Sequence, residues 1–114
     1  MIHQVRPADL PAWLQAHASA GVQPVVLDVR EPWELQTASV QPDGFTLLAI
    51  PMNLVPVRLG ELDPGQPVAC LCHHGGRSQQ VAMYLAQRGF SDVANIAGGI
   101  DAWAREVDPA IPRY

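Results

Sequence analysis

The residues best suited to chemistry form the heptapeptide CHHGGRS at positions 72–78. Cys72 supplies a nucleophilic sulfur, and the two glycines that follow allow the backbone to curl so that its N–H groups converge. Converging N–H groups and the first turn of a helix both favour negative charge on a nearby sulfur. The pattern therefore predicts a nucleophilic cysteine in an anion-binding loop. Arg77 would add a fixed charge or hold a carbonyl or carboxylate that shapes the loop, and Ser78 would cap the helix.

The segments around this loop predict an α/β domain. The apolar stretch 68–71 before the cysteine is typical of a buried strand, and residues 81–88 after the loop have a helical pattern that closes at Gly89. The remaining patterns predict strands at 2–5, 24–29, 46–51 and 92–96, and helices at 9–17, 31–35, 55–62 and 100–107. This alternation indicates a central, mainly parallel five-stranded sheet flanked by helices on both faces. Ligands bind at the carboxyl ends of strands in such sheets, and Cys72 stands at one of those ends.

Composition narrows the class of protein and of partner. The 114 residues suit one domain spanning 1–114, and a net charge of −4 with no basic face argues against a nucleic-acid partner. Two cysteines separated by one residue form no disulfide framework, which favours reducing surroundings. The chain has no signal-peptide core and no apolar run of roughly 20 residues that would span a bilayer. We therefore expect a soluble cytoplasmic domain without membrane contact.

Four stretches of the chain resemble the rhodanese-type sulfurtransferases. The heptapeptide is similar to their active loop, C-x-x-G-x-R-S. The other three stretches are VLDVRE at 26–31, IP at 50–51 and NIAGGIDAW at 95–103, which follow in the family's order and at its spacing. The segment 38–44 departs from the His-x-x-Gly-Ala that many relatives carry before the third strand. The resemblance covers nearly the whole chain and implies a single rhodanese domain.

The resemblance also implies a persulfide cycle. Cys72 would be the catalytic residue and would take the outer sulfur of a small sulfur-containing anion such as thiosulfate, or of a protein persulfide. Cyanide or a thiol would then accept that sulfur. The residues that would bind the substrate by cradling the persulfide are His73, His74, Gly75, Gly76, Arg77 and Ser78. Neither a metal nor a cofactor is implied.

Two other functions compete with sulfur transfer. Cysteine phosphatases of a related fold and arsenate reductases place five residues between cysteine and arginine, whereas four separate Cys72 from Arg77. The shorter loop makes a tighter cradle, better matched to one sulfur atom than to a tetrahedral oxyanion. A rhodanese-like binding module is the second competitor, but idle versions of the fold usually lack the nucleophile that this chain keeps. A sulfur carrier loaded only by a partner protein is an intermediate case that stays open.

The neighbours of the loop allow structural interpretations as well as functional ones. We expect Cys70 to pack in the core, with a resolving thiol that attacks Cys72 as the alternative. His73 and His74 are expected on an exposed rim, where a positive charge would attract an anionic donor. They supply too few ligands for a closed metal site. Asp28, Arg30 and Glu31 follow a strand end and could face the site, but we expect an Asp–Arg or an Arg–Glu pair that ties the loops together.

Overall fold

The computed structural model describes residues 2–18 and 21–114. These residues contain a five-stranded sheet in which every strand pairing is parallel. The strands are β1 (His3–Val5), β2 (Val25–Asp28), β3 (Thr46–Ala49), β4 (Val68–Leu71) and β5 (Val93–Ile96). Their order across the sheet is β1-β5-β4-β2-β3. The predicted class of fold is therefore confirmed, and each strand lies within two residues of the range predicted for it.

Strands β2 and β4 lie in the interior of the sheet and are buried along their whole length. Their sequences, VVLD and VACL, are the nearly continuous apolar runs that a strand covered on both faces requires. The register pairs Asp28 with Leu71, so the two strands end side by side. This places the segment that follows β2 next to the cysteine that follows β4.

Helices cover both faces of the sheet, as the sequence predicts. They are α1 (Leu10–His17), α2 (Pro32–Thr37), α3 (Gly76–Gln87) and α4 (Gly99–Glu106). Helices α1 and α4 bury Leu10, Trp13 and Trp103 against one face. Helix α3 buries Val81 and Leu85 against the other face, which is also the face that holds Cys70 and Cys72.

The segment 55–62 is not the helix that the sequence predicts. It contains hydrogen-bonded turns and ends in a 3-10 turn at Leu59–Glu61, after an earlier one at Met52–Leu54. Gly60 has low helix propensity, whereas Pro56 would lie in the first turn of the predicted helix, where no backbone donor is needed. The apolar pattern that suggested a helix still serves packing, because Val55 and Leu62 are buried against α3 and β4.

Candidate active site

Cys72 directly follows β4, and its side chain is buried with 1% of the residue's surface exposed. Its Sγ accepts a hydrogen bond from the Gly75 N–H at 3.1 Å and lies 3.2 Å from Ser78 Oγ. Gly75 has a φ of +107°, a left-handed conformation that turns its N–H back toward the sulfur and that other residues adopt only with strain. The first glycine of the motif is therefore needed for its backbone conformation.

Helix α3 begins at Gly76, with Gly75 as its N-cap residue. The N–H groups of Gly76, Arg77 and Ser78 belong to the first turn, where no carbonyl of the same helix accepts them. The partial positive end of α3 is thus next to Cys72, which agrees with an anion-binding loop.

The prediction that Ser78 caps this helix is wrong. The left-handed turn at Gly75 starts the helix earlier than the apolar pattern suggests, so Ser78 is already its third residue. The Ser78 hydroxyl is fully buried and donates to Asn95 Oδ1 on β5 at 2.5 Å. It therefore contacts the sulfur and the sheet instead of capping the helix.

Arg77 is paired with Glu34, a residue of α2 that the sequence analysis did not single out. The guanidinium donates two hydrogen bonds of 2.8 Å, from Nη1 to Oε2 and from Nη2 to Oε1. The Glu34 carboxylate is buried, and its hydrogen bonds with Arg77 are the main reason that its pKa falls to about 2. This bidentate ion pair fixes the loop to α2 and neutralises most of the charge of Arg77.

Asp28 and Arg30 form a second, fully buried ion pair beside the loop. Arg30 donates from Nη2 to Asp28 Oδ2 at 2.7 Å and from Nε to Asp28 Oδ1 at 2.9 Å. Its remaining donors reach the carbonyls of Ala38 and Glu34 and the hydroxyl of Tyr114. Burial alone would lower the pKa of Arg30, but the hydrogen bonds with Asp28 and Tyr114 raise it above its ordinary value. The pair holds the 31–38 segment in place. Among the described residues, neither Asp28 nor Arg30 forms a hydrogen bond with the sulfur of Cys72.

The two histidines differ in exposure, so the expected exposed rim is only half present. His73 is partly buried, with its ring stacked on Tyr114 at 3.8 Å between centroids and on His74 at 3.9 Å. Burial, followed by the nearby His74, lowers the pKa of His73, so it is poorly suited to carry a positive charge near neutral pH. His74 is exposed and is the histidine available to an approaching anion.

A group of possible metal ligands lies on the same side of the loop. Candidate atoms of His73, His74 and Asp101 lie within 4.8 Å of one another. Both Asp101 oxygens accept hydrogen bonds from guanidinium groups, Oδ1 from Arg113 Nε at 3.0 Å and Oδ2 from Arg105 Nε at 3.2 Å. These two positive charges oppose a cation, so we do not assign a metal to this cluster.

The start of α4, whose first residue is Gly99, packs against the cysteine loop. The N–H of Ile100 donates to the Cys72 carbonyl at 2.9 Å, and the N–H of Asp101 donates to the His73 carbonyl at 3.1 Å. Gly99 has a φ of +62°, and a Cβ at this position would overlap the same two carbonyl groups. The backbone of α4 therefore packs directly under the loop because residue 99 has no side chain.

The fold and this loop identify the class of protein. The model of the Rhodanese-like domain family matches residues 10–106, and the chain belongs to that family. A sulfurtransferase of Allochromatium vinosum is 38% identical over 87 residues, which are 76% of this chain and 78% of that protein. The crystal structure of a rhodanese-related protein from Thermoplasma volcanium superposes with a TM-score of 0.76 at 28% identity, covering 98% of this chain and 99% of that one.

A plant relative is longer than this chain. Rhodanese-like/PpiC domain-containing protein 12, chloroplastic, of Arabidopsis thaliana is 42% identical over 91 residues, which are 78% of this chain but only 30% of that protein. Among residues 2–18 and 21–114, no helix has the length and apolar character needed to cross a membrane. Since this relative is named as chloroplastic, the cytoplasmic location stays a prediction from the sequence.

We expect Arg30→Met to lower the free energy of unfolding by about 3–5 kcal/mol, because it leaves the Asp28 carboxylate buried without its partner. Urea unfolding at neutral pH measures this loss. Arg58→Met is the matched control, since Arg58 forms a similar ion pair with Glu61 at 2.7 Å on the surface and should change stability far less. Equal losses in the two variants would contradict the importance of the buried pair.

Glu34→Gln should destabilise the protein in a pH-dependent way. The pKa of Glu34 is about 2 in the fold against an ordinary 4.5, so its charge stabilises the fold above about pH 5. That contribution is lost as the pH falls toward 2. Urea unfolding from pH 7 to pH 3 should show a difference between wild type and variant that is constant at first and then shrinks. A difference that does not change with pH would contradict the Arg77 contact as its cause.

Gly99→Ala should displace the cysteine loop. It combines a strained positive φ with overlap on two loop carbonyls, and the strain alone costs roughly 1–3 kcal/mol. Gly44→Ala is the control, because Gly44 has a φ of +79° but open space around its Cβ position. The free energy of unfolding in urea and the alkylation rate of Cys72 should both change more in Gly99→Ala than in Gly44→Ala. Equal effects would show that strain, and not contact with the loop, is responsible.

Proposed function

We propose that the protein is a sulfurtransferase in which Cys72 carries a sulfane sulfur as a persulfide. The observation that supports this most directly is the hydrogen bond from the Gly75 N–H to Cys72 Sγ at the start of α3. Donors held in this way stabilise negative charge on sulfur without rearranging during the reaction. The sulfurtransferase relative agrees with this chemistry.

The proposed cycle has two displacements at sulfur. The Cys72 thiolate attacks the outer sulfur of a donor such as thiosulfate, the S–S bond of the donor breaks, and sulfite leaves with the electron pair. An acceptor, cyanide or a thiolate, then attacks the outer sulfur of the persulfide and releases the Cys72 thiolate. Each step forms one bond to sulfur and breaks one, so no external oxidant or reductant is required.

The charges of the site indicate how an anionic donor is bound. Arg77 is committed to Glu34, and Arg30 is buried against Asp28. Binding of the anion therefore falls mainly to the N–H groups in the first turn of α3 and to the exposed His74. We propose that residues 73–78 bind the substrate through their backbone more than through their side chains.

The burial of Cys72 favours a small first donor. With 1% of the residue exposed, the sulfur is reached more easily by a small anion than by the cysteine of another protein. A persulfide bond places the transferable sulfur about 2.05 Å beyond the Cys72 sulfur. The acceptor in the proposed cycle attacks this outer sulfur and not Cys72 itself.

Sulfur transfer from thiosulfate to cyanide tests this proposal. Wild-type protein should turn over and gain one sulfur in its intact mass after thiosulfate treatment, and Cys72→Ser should lose both properties. Cys70→Ala is the control, because Cys70 is completely buried and burial raises the pKa of its thiol far above the ordinary value. It should retain turnover and the added sulfur.

Other results would redirect the interpretation. Turnover that is lost in Cys70→Ala while the protein remains folded would favour the resolving-thiol alternative. If wild type shows neither turnover nor an added sulfur, the thiosulfate mechanism is wrong, and loading by the persulfide of a cysteine desulfurase becomes the experiment that tests a carrier function.

A further inference from the structure

A buried amide connects both groups that hydrogen-bond the sulfur of Cys72. Asn95 on β5 is 4% exposed. Its Nδ2 donates to the carbonyl of Gly75 at 3.2 Å and to Gln4 Oε1 at 2.9 Å, and its Oδ1 accepts from the Ser78 hydroxyl at 2.5 Å. Because buried amides are costly unless they are bonded, this set of partners accounts for an asparagine in an otherwise apolar strand.

The partners also determine which way the amide points. Nδ2 faces two carbonyl oxygens, which can only accept hydrogen bonds, so the NH₂ group must be on that side. Oδ1 therefore faces Ser78 and can only accept. The single proton of the Ser78 hydroxyl consequently lies on the bond to Asn95.

This assignment decides the direction of the Ser78 contact with Cys72. With its proton on the Asn95 bond, Ser78 Oγ presents lone pairs to the sulfur 3.2 Å away. A neutral Cys72 thiol fits this arrangement, because its S–H donates to Ser78. A thiolate does not fit, because two acceptors would then face each other until the hydroxyl turns toward the sulfur and leaves Asn95 Oδ1 without a donor.

We infer that Asn95 is a positioning residue that competes with Cys72 for the Ser78 proton and so holds the resting cysteine as a thiol. When Cys72 ionises, its proton passes to water and the Ser78 hydroxyl rotates from Asn95 to the sulfur. Ser78 is thus a two-position switch, and Asn95 sets how readily it turns. The inference rests on Cys72 being the reacting group of the proposed function.

The position of the Gly75 N–H depends less on Asn95 than the position of the Ser78 proton does. Its carbonyl also accepts the N–H of Gln79 at 3.2 Å, and a Cβ at Gly75 would stand 3.2 Å from the Gly98 nitrogen. The helix and the 98–99 turn therefore keep the Gly75 N–H on the sulfur when the amide is removed. The effect of Asn95 on Cys72 should accordingly pass through Ser78.

The ionisable groups around Cys72 are the same with and without Asn95. They are the Cys70 thiol on β4, the Arg77 guanidinium on α3 with its Glu34 partner on α2, the two histidines of the loop, and the Asp101 carboxylate on α4 and Tyr114 hydroxyl beside those histidines. None of these groups hydrogen-bonds Asn95 among the described residues. A change in the titration of Cys72 on substitution of Asn95 therefore reports the hydrogen bonds and not a change of charge.

The test is the pH dependence of Cys72 alkylation by iodoacetamide, a neutral probe that needs no sulfur donor. Asn95→Leu frees the Ser78 proton for the thiolate, so we expect the midpoint of the rate profile to fall by about 0.5–1 pH unit, the value of one neutral hydrogen bond. In a Ser78→Ala background the same substitution should leave the midpoint unchanged. Gln4→Ala, which removes only the outer partner of Asn95, should also leave it unchanged.

Three results would overturn the inference: no shift in Asn95→Leu, an upward shift, or a shift of equal size in the Ser78→Ala background. Asn95→Ala is measured in parallel, and urea unfolding identifies any variant that does not fold. Failure of the proposed function remains distinguishable, because it would appear as absent sulfur transfer in a protein whose Cys72 still shows the expected alkylation profile.

Discussion

The buried guanidinium of Arg30 is the interaction on which the surroundings of the site depend. A charge with no exposed surface requires a full set of partners, and Arg30 collects them from the end of β2, from α2, from residue 38 and from Tyr114. The Tyr114 hydroxyl in turn donates to Glu34 at 2.9 Å, and Glu34 holds Arg77. An unbroken series of contacts therefore connects the centre of the sheet to the cysteine loop.

The series of ion pairs has a chemical consequence at the sulfur. Arg77 and Arg30 are each neutralised by a carboxylate, so neither presents an uncompensated charge to Cys72. The backbone dipoles of the loop and of the first turn of α3 are left to stabilise negative charge. Dipoles of this kind are already oriented before the reaction, which suits the thiolate–persulfide cycle that we propose for Cys72.

The sequence predicts best what depends on neighbouring residues. The strands, the glycines that let the loop curl and the cysteine at a strand end all follow from local patterns. The segment 55–62 has an apolar pattern that suggests a helix but forms turns. Contacts between distant residues were missed, since Glu34 is 43 positions from Arg77 and Tyr114 is 84 from Arg30. Asn95 was quoted only as part of a motif, although a polar residue within an apolar buried strand was a signal that it had a specific partner.

The two sides of the loop are stabilised by different chemistry, and the difference follows from position. Arg77 is partly exposed at the outer side, so its guanidinium keeps contact with water while it anchors α2 through the buried Glu34 carboxylate. Ser78 is completely buried on the inner side, where a charge beside the sulfur would be costly and would oppose a thiolate or favour it permanently. Neutral groups there, Ser78 and Asn95, can exchange one proton position without moving the backbone. A loop that is rigid on its charged side and switchable on its neutral side can hold sulfur in more than one state.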